Sequence, residues 1–374
     1  MNKAIYVAAT GQHVGKTTST LGLIAALKSL DLDGVGYCKP VGQEITELDN
    51  LKVDKDAFLF SEIMQFKLAS EIHSPVILGR GATTAFLDHP DRYPFAQNIK
   101  EAAEFLHSNN QVVVYEGTGH PGVGSIVGLS NADVAKMLDA KVVVVVEGGI
   151  GNTIDKLNMS LAMFREQKVP IIGIIVNKVL PQKMDKVRHY VDKKLKMMGL
   201  DLLGILPYEK SMSNPIMQTV TRAVKGRVLY NGQKLANRVE QIIPGSLIEE
   251  VPKISKQQNL LLVVSYKRAE DALKKIEALT DFSDQHSPLS GILLTGEGRL
   301  ESPSETYPLY MDYVRKFRLP VISTHLDTLG AFTKINQIEV KINTSTPWKV
   351  ERAIQLIKEN VDLKLILGAY AKNR

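Results

Sequence analysis

The residues best suited to chemistry form one run, Thr10-Gly11-Gln12-His13-Val14-Gly15-Lys16-Thr17-Thr18. It follows the apolar stretch Ala4–Ala9 and precedes the helical pattern Ser19–Leu30. A strand, a glycine-containing loop and a helix start, in that order, aim successive backbone N–H groups and a helix dipole at one point, which suits a polyphosphate. In such a loop Lys16 reaches the β- and γ-phosphates and the Thr17 hydroxyl coordinates Mg²⁺. The usual pattern, G-x-x-x-x-G-K-[ST], begins with glycine, whereas Thr10 stands there in this chain. Gly11 beside it is expected to supply the unusual backbone angles.

Three further polar runs directly follow apolar stretches: Lys39-Pro40-Val41-Gly42, Glu116-Gly117-Thr118-Gly119-His120-Pro121-Gly122 and Asn177-Lys178. Glu116 ends the buried-strand pattern Val112-Val113-Val114-Tyr115, so it is expected near a phosphate loop as a Mg²⁺ ligand or water orienter. A carboxylate that only caps a turn or helix is the alternative. Lys39 is expected to contact an anion, the alternative being a lysine that merely ends a strand. His13 and His120 can touch a ligand from their loops, but neither is expected to catalyse.

Positioning these groups requires strands and helices in alternation. Candidate strands are Ala4–Ala9, Gly34–Lys39, Gln111–Tyr115, Lys141–Val146, Ile171–Val176 and Leu202–Leu206. Amphipathic helices are expected at about Thr17–Leu30, Asp56–Ile63, Phe95–Ser108, Ala132–Leu138, Thr153–Glu166 and Lys183–Met198. Near-continuous apolar strands separated by helices imply an α/β fold with a parallel sheet covered on both faces. Ligands in such sheets bind at the carboxyl ends of the strands, where the polar runs fall.

At 374 residues the chain has room for two domains of ordinary size. The pattern changes around Val224–Gln258, and two domains are expected, 1–222 and 223–374. The second would hold strands Leu260–Ser265, Gly291–Thr295 and Pro320–Thr324 with helices about Ala269–Leu279, Thr306–Phe317 and Pro347–Glu359. Trp348, Tyr307, Tyr310 and Tyr313 there read as packing residues rather than a binding box. The net charge of +6 is partly local, since Lys178–Lys196 carries seven Lys and Arg residues on what reads as the solvated face of a helix. Without interleaved aromatics or an RNA-binding signature, no nucleic-acid partner is expected. Met1-Asn2-Lys3 leads into an apolar run of strand length, so no signal peptide is expected, and no apolar run is long enough to cross a bilayer. The single cysteine, Cys38, fits a reducing cytoplasm and reads as a small buried apolar residue.

Five runs, in order and at suitable intervals, resemble the dethiobiotin synthetase-like P-loop ATPases, which include the N-terminal domain of long-form phosphotransacetylases. They are residues 10–18, Gly36-Tyr37-Cys38-Lys39-Pro40-Val41, Lys55-Asp56-Ala57, Glu116-Gly117-Thr118-Gly119, and Val176-Asn177-Lys178 followed by Gly204-Ile205-Leu206-Pro207. The resemblance implies a P-loop NTPase sheet that binds ATP through residues Gly11 to Thr18, with Thr17, Asp56 and Glu116 around Mg²⁺. Lys16 and Lys39 would serve catalysis, Lys39 falling where dethiobiotin synthetases keep a lysine facing the substrate carbamate and the transferred phosphoryl group. Asn177 and Pro207 would frame the base. Asn177-Lys178-Val179-Leu180 lacks the acid that guanine readers place after N-K-x, which favours adenine. Related partitioning ATPases carry a second lysine where Gly11 stands.

The following residues resemble the DRTGG domain of long phosphotransacetylases, with Lys267-Arg268 in place of Asp-Arg and Thr295-Gly296-Glu297 in place of Thr-Gly-Gly. Acetyl transfer to coenzyme A is not expected. Two functions remain open at this point: an ATPase or ATP-dependent ligase acting on a small anionic substrate, or a nucleotide-sensing regulatory module. The expected partners are a nucleotide and a small anionic substrate or effector, with no nucleic acid and no membrane, in a homodimer.

Overall fold

The computed structural model describes the chain except residues 1–2, 31, 33, 49–50, 251–253, 255–256, 280–285, 297–310, 339 and 371–374. It opens with β1 (Lys3–Ala9), α1 (Lys16–Lys28) and β2 (Val35–Cys38). A hairpin of Ile45–Leu48 with Leu51–Asp54 leads into α2 (Lys55–Met64). Then come α3 (Phe95–Asn109), β3 (Val112–Glu116), α4 (Asn131–Met137), β4 (Lys141–Glu147), α5 (Gly151–Glu166), β5 (Ile171–Val179), α6 (Met184–Met197) and β6 (Leu202–Pro207).

Six of these strands form one sheet in the order β6-β5-β4-β1-β3-β2, and every neighbouring pair is parallel. Successive strand residues point to opposite faces, yet Val142 through Val146 are all buried, so both faces of the sheet are covered. That explains strands read as unbroken apolar runs rather than alternating ones. The register brings Val7 beside Glu116, Ala9 beside Val145, and Glu147 beside Asn177. The polar run that follows each strand therefore emerges at one edge.

Helix α1 has an almost continuous buried stretch from Ser19 to Ile24, because it is covered on two sides. One cover is the sheet; the other comes from the end of the chain. The helices α11 (Pro347–Asn360) and α12 (Leu363–Gly368) return to the first unit, and a Cβ on Gly22 of α1 would meet Ile357 Cγ1 at 2.4 Å and the Ala353 carbonyl oxygen at 2.7 Å. The same segment extends the sheet at β6, where Asp362 N donates to the Leu203 carbonyl at 2.8 Å. Farther on, the Tyr370 hydroxyl donates to the Ala4 carbonyl. The compact units are consequently not the linear pair 1–222 and 223–374: Met1–Glu209 groups with Ile342–Arg374, and Lys210–Lys341 stands by itself.

That second unit contains α7 (Met217–Ala223), β7 (Arg227–Tyr230), β8 (Gln241–Pro244), β9 (Leu260–Ser265), α8 (Ala269–Leu279), β10 (Leu289–Thr295), α9 (Met311–Phe317), β11 (Val321–Thr324) and α10 (Thr328–Asn336). Its sheet runs β7-β11-β10-β9-β8, parallel except for β7. Alternate residues of β9 feed two cores: Leu260, Leu262 and Val264 pack with Leu273 and Ile276, while Leu261 and Val263 pack with Met217, Val220 and Ile335. Tyr313 is a core residue whose hydroxyl lies 2.9 Å from Ser287 Oγ, whereas Tyr307, Tyr310 and Glu297 lie outside the described residues. Among the described residues no helix is long and apolar enough to cross a membrane.

Candidate functional site

The loop joining β1 to α1 turns twice through left-handed backbone, at His13 (φ 57°) and at Gly15 (φ 101°), the residue that caps α1. Gly11 does not have a left-handed φ, and a Cβ there would make only ordinary contact with Val14. The unusual angles expected of Gly11 therefore fall on its neighbours, which accounts for a loop that closes without glycine at position 10. At Gly15 the requirement is double, since a Cβ would lie 2.0 Å from Asn177 Nδ2. That amide donates to the Val14 carbonyl at 2.8 Å, and its oxygen accepts from Lys178 N at 2.8 Å. Asn177 thus ties the end of β5 to the loop. Lys178 adds a second tie, donating to the His13 carbonyl at 2.6 Å while pairing with Glu147 at 3.3 Å.

Lys16 and Thr17 begin the helix itself. Lys16 Nζ donates to the Gly119 carbonyl at 3.1 Å, and the Thr17 hydroxyl donates to Glu116 Oε1 at 2.7 Å. The other carboxylate oxygen of Glu116 accepts from the Tyr37 hydroxyl at 3.1 Å, and the Tyr37 ring stacks on Phe60 at 3.9 Å. Glu116 is fully buried. Burial first, then the negative charge of Asp56, pushes its carboxyl up to about 7, against the opposing pull of Lys39, Lys16 and the Thr17 hydrogen bond. The Tyr37 hydroxyl is raised well above its usual range, by burial and then by Glu116, so it stays protonated and donates.

Lys39 lies deeper than the sequence suggested, at 7 % exposure, and pairs directly with Asp56 and with Asp54 Oδ1 at 3.4 Å. Burial alone would favour the neutral amine, but the carboxylates of Asp56, Glu116 and Asp54 outweigh it and hold the ammonium above its ordinary range. Asp54, missed in the sequence reading, caps α2: its Oδ1 accepts from Asp56 N at 2.9 Å and its Oδ2 from Gln43 N and Glu44 N at 3.0 and 3.2 Å. An aspartate directly before a helical pattern is a capping signal that could have revealed it.

The turn after Glu116 is built on buried Asn131. Its Oδ1 accepts from Tyr6 OH at 2.8 Å and Thr118 N at 2.9 Å, and its Nδ2 donates to the Thr118 and His120 carbonyls. Gly117 is needed there because a Cβ would lie 2.4 Å from Asn131 Oδ1. Cys38 is buried and free, as a small apolar residue would be.

The structure therefore gathers Lys16, Thr17, Lys39, Asp56 and Glu116 at one edge of the sheet, with Asn177 against the loop and Pro207 ending β6 beside Val179. Gln12 and His13 are exposed, Gly11 and Thr18 half-buried, and Val14 buried. Thr17 and Glu116 offer hard oxygen donors in contact with each other, which fits Mg²⁺ held jointly with phosphate oxygens. Asp56, also expected at the metal, pairs with Lys39.

The sequence profile of the AAA domain family (AAA_26) matches residues 3–216. A phosphate acetyltransferase from Acinetobacter baylyi is 24% identical over 387 residues, spanning 94% of this chain and 50% of that protein. An ATP-dependent dethiobiotin synthetase from Nitrosopumilus maritimus is 26% identical over 225 residues, spanning 58% of this chain and 94% of that protein. The chain thus spans about half the length of the acetyltransferase and nearly all of the synthetase. Among solved structures, the MinC:MinD cell division complex of Aquifex aeolicus aligns at 15% identity over 56% of this chain and 83% of that one, with a TM-score of 0.36.

Proposed function

The chain belongs to the AAA domain family (AAA_26), and from that we propose that its first unit binds ATP with Mg²⁺ and acts as an ATPase or ATP-dependent ligase of the dethiobiotin synthetase-like class. The observation that carries the reading is the contact between Thr17 and Glu116, a hydroxyl at a helix N-terminus bonded to a buried carboxylate from another strand. That pairing is what a phosphate-bound divalent cation requires, and a buried carboxyl near neutrality is poised to ionise when a cation arrives.

In this reading the backbone amides of Gly11 to Thr18 cradle the phosphates, and Lys16 places its charge on the β- and γ-phosphates. Thr17 and Glu116, joined by Asp56, would hold Mg²⁺, which would supply charge withdrawal from the transferred phosphoryl group. Asn177 and Pro207 border the base, and the absence of an acid after Asn177-Lys178 favours adenine. Lys39 leaves Asp56 to meet a small anionic acceptor or the phosphoryl group in flight. The ordinary setting for such chemistry, and for a chain whose single cysteine is buried, is the cytoplasm; the proposed assembly is a homodimer.

One observation favours a second reading, nucleotide sensing without turnover. Lys39 is held by two carboxylates instead of being presented to an acceptor. Equilibrium ATP titration beside single-turnover hydrolysis, with and without small carboxylates, diamines and acetyl phosphate, separates the two. Binding of Mg-ATP with acceptor-dependent hydrolysis supports the enzyme; binding with no hydrolysis under any condition moves the assignment to sensing, and absence of binding removes both.

A further inference from the structure

We infer that the second unit holds a binding site for a small polyanion, in a cavity of about 450 Å³ lined by Lys210, Asn214, Arg238, Glu240, Gln241 and Gln257 among others. The volume is that of a metabolite site. Its walls are not, however, the mainly apolar ones such sites usually have: every lining residue is polar or charged. An apolar ligand would gain little there and would strip water from these groups. A ligand with hydrogen-bond acceptors over most of its surface would replace that water group for group.

The sign of the charge follows from the two cations and one carboxylate in the lining, Lys210 and Arg238 against Glu240. Glu240 is already engaged, accepting from Arg238 Nη2 at 3.1 Å and from Asn259 Nδ2 at 3.0 Å. That contact draws the guanidinium to the Glu240 side of the cavity, and a planar guanidinium fork is suited to paired anionic oxygens. Asn214, nearly buried at 8 % exposure, and the amides of Gln241 and Gln257 add neutral donors around the cations. The ligand class is thus a compact molecule carrying two or more anionic oxygens, as a phosphate ester or a polycarboxylate does.

The cavity lies where β8 and β9 begin their parallel pairing, Gln241 being the first residue of β8 and Gln257 three residues ahead of Leu260. Lys210 and Ser211 directly follow Glu209, the last residue of the first unit before the chain enters the second. Within the first unit Glu209 is gripped by the Arg352 guanidinium of α11, through Nε at 3.1 Å and through Nη2. No residue of the phosphate loop takes part, so this inference stands apart from the nucleotide reading.

Calorimetric titration of the full chain with fructose 1,6-bisphosphate, citrate and neutral fructose tests it, using the parent, Lys210→Gln, Arg238→Lys and Lys16→Ala. The expected result is saturable binding of the bisphosphate or of citrate, whichever source the site prefers, and none of fructose. Lys210 is exposed, so Lys210→Gln leaves the core intact and should weaken binding about tenfold or more, with Arg238→Lys weakening it through loss of the fork. Lys16→Ala should leave it unchanged. Absence of saturable binding below roughly 10 mM, equal binding of fructose, or affinity that survives Lys210→Gln overturns the inference. So does affinity lost in Lys16→Ala, which would put the anion on the phosphate loop.

Discussion

Lys16 and Glu116 make the most direct claims at the scale of single residues. Lys16→Ala removes a cation while leaving the backbone amides in place, so ATP affinity or turnover should fall at least about tenfold, roughly 1.4 kcal/mol, with little change in melting temperature. Equal titration curves for parent and variant would refute the phosphate role. Glu116 has a carboxyl held near 7 in the fold against an ordinary 4.5, so between those values the folded chain binds more protons than the unfolded one. Its contribution to stability is then fully present below about 4.5 and lost as the pH rises through about 7. Glu116→Gln should flatten that slope in denaturant titrations run from acid to neutral pH; an unchanged slope would show that another group sets it. The same shift predicts proton release on loading with Mg-ATP at pH 7, up to about half a proton per site, read from the buffer dependence of the calorimetric enthalpy.

At the scale of elements, α1 offers a test in which local propensity and packing disagree. Alanine is about 1 kcal/mol better than glycine inside an isolated helix, which alone would make Gly22→Ala stabilising. In this fold a Cβ would meet the Ala353 carbonyl oxygen at 2.7 Å, and backbone cannot move aside as a side-chain tip can. Gly22→Ala should therefore destabilise by about 1–3 kcal/mol, seen as a lower melting temperature. A rise in melting temperature would mean that α11 does not press on α1. Gly15 is under a stricter demand, because its left-handed backbone and the nearby Asn177 amide exclude side chains for separate reasons.

At the scale of the molecule, the return of residues 342–370 to the first unit makes that segment part of the P-loop fold. It buries Ala353, Leu356, Ile357, Val361 and Ile366. Fully burying a leucine, isoleucine or valine side chain is worth about 1.5–3 kcal/mol, so the four of them here already fall within the 5–15 kcal/mol by which a whole domain is stable. A chain ending after Lys341 should be insoluble or show no cooperative melting, and should not bind ATP. Recovery of a soluble truncated chain that melts like the parent would show that the first unit does not depend on its C-terminal cover.

Local signals were strong enough to read most of the first unit from its sequence. A buried parallel sheet demands apolar strands on both faces, so β1, β3, β4 and β5 stood out as Val- and Ile-rich runs, and the residues ending them had to emerge at one edge. Lys16, Thr17 and Glu116 were accessible for that reason, as was the resemblance carried by their motifs. Contacts between distant segments have no such local signature. Asn177 locking Val14, Lys39 paired with Asp56 and Asp54, and the left-handed turn at His13 in place of Gly11 depend on how three loops meet. The discontinuous first unit was hidden for the same reason: α11 reads as an ordinary amphipathic helix after a second set of strands. The one hint lay in α1, whose run Leu21-Gly22-Leu23-Ile24 has no polar face and so needed a second cover. Which helix supplied it depended on close packing at Gly22, a matter of shape between residues more than three hundred positions apart.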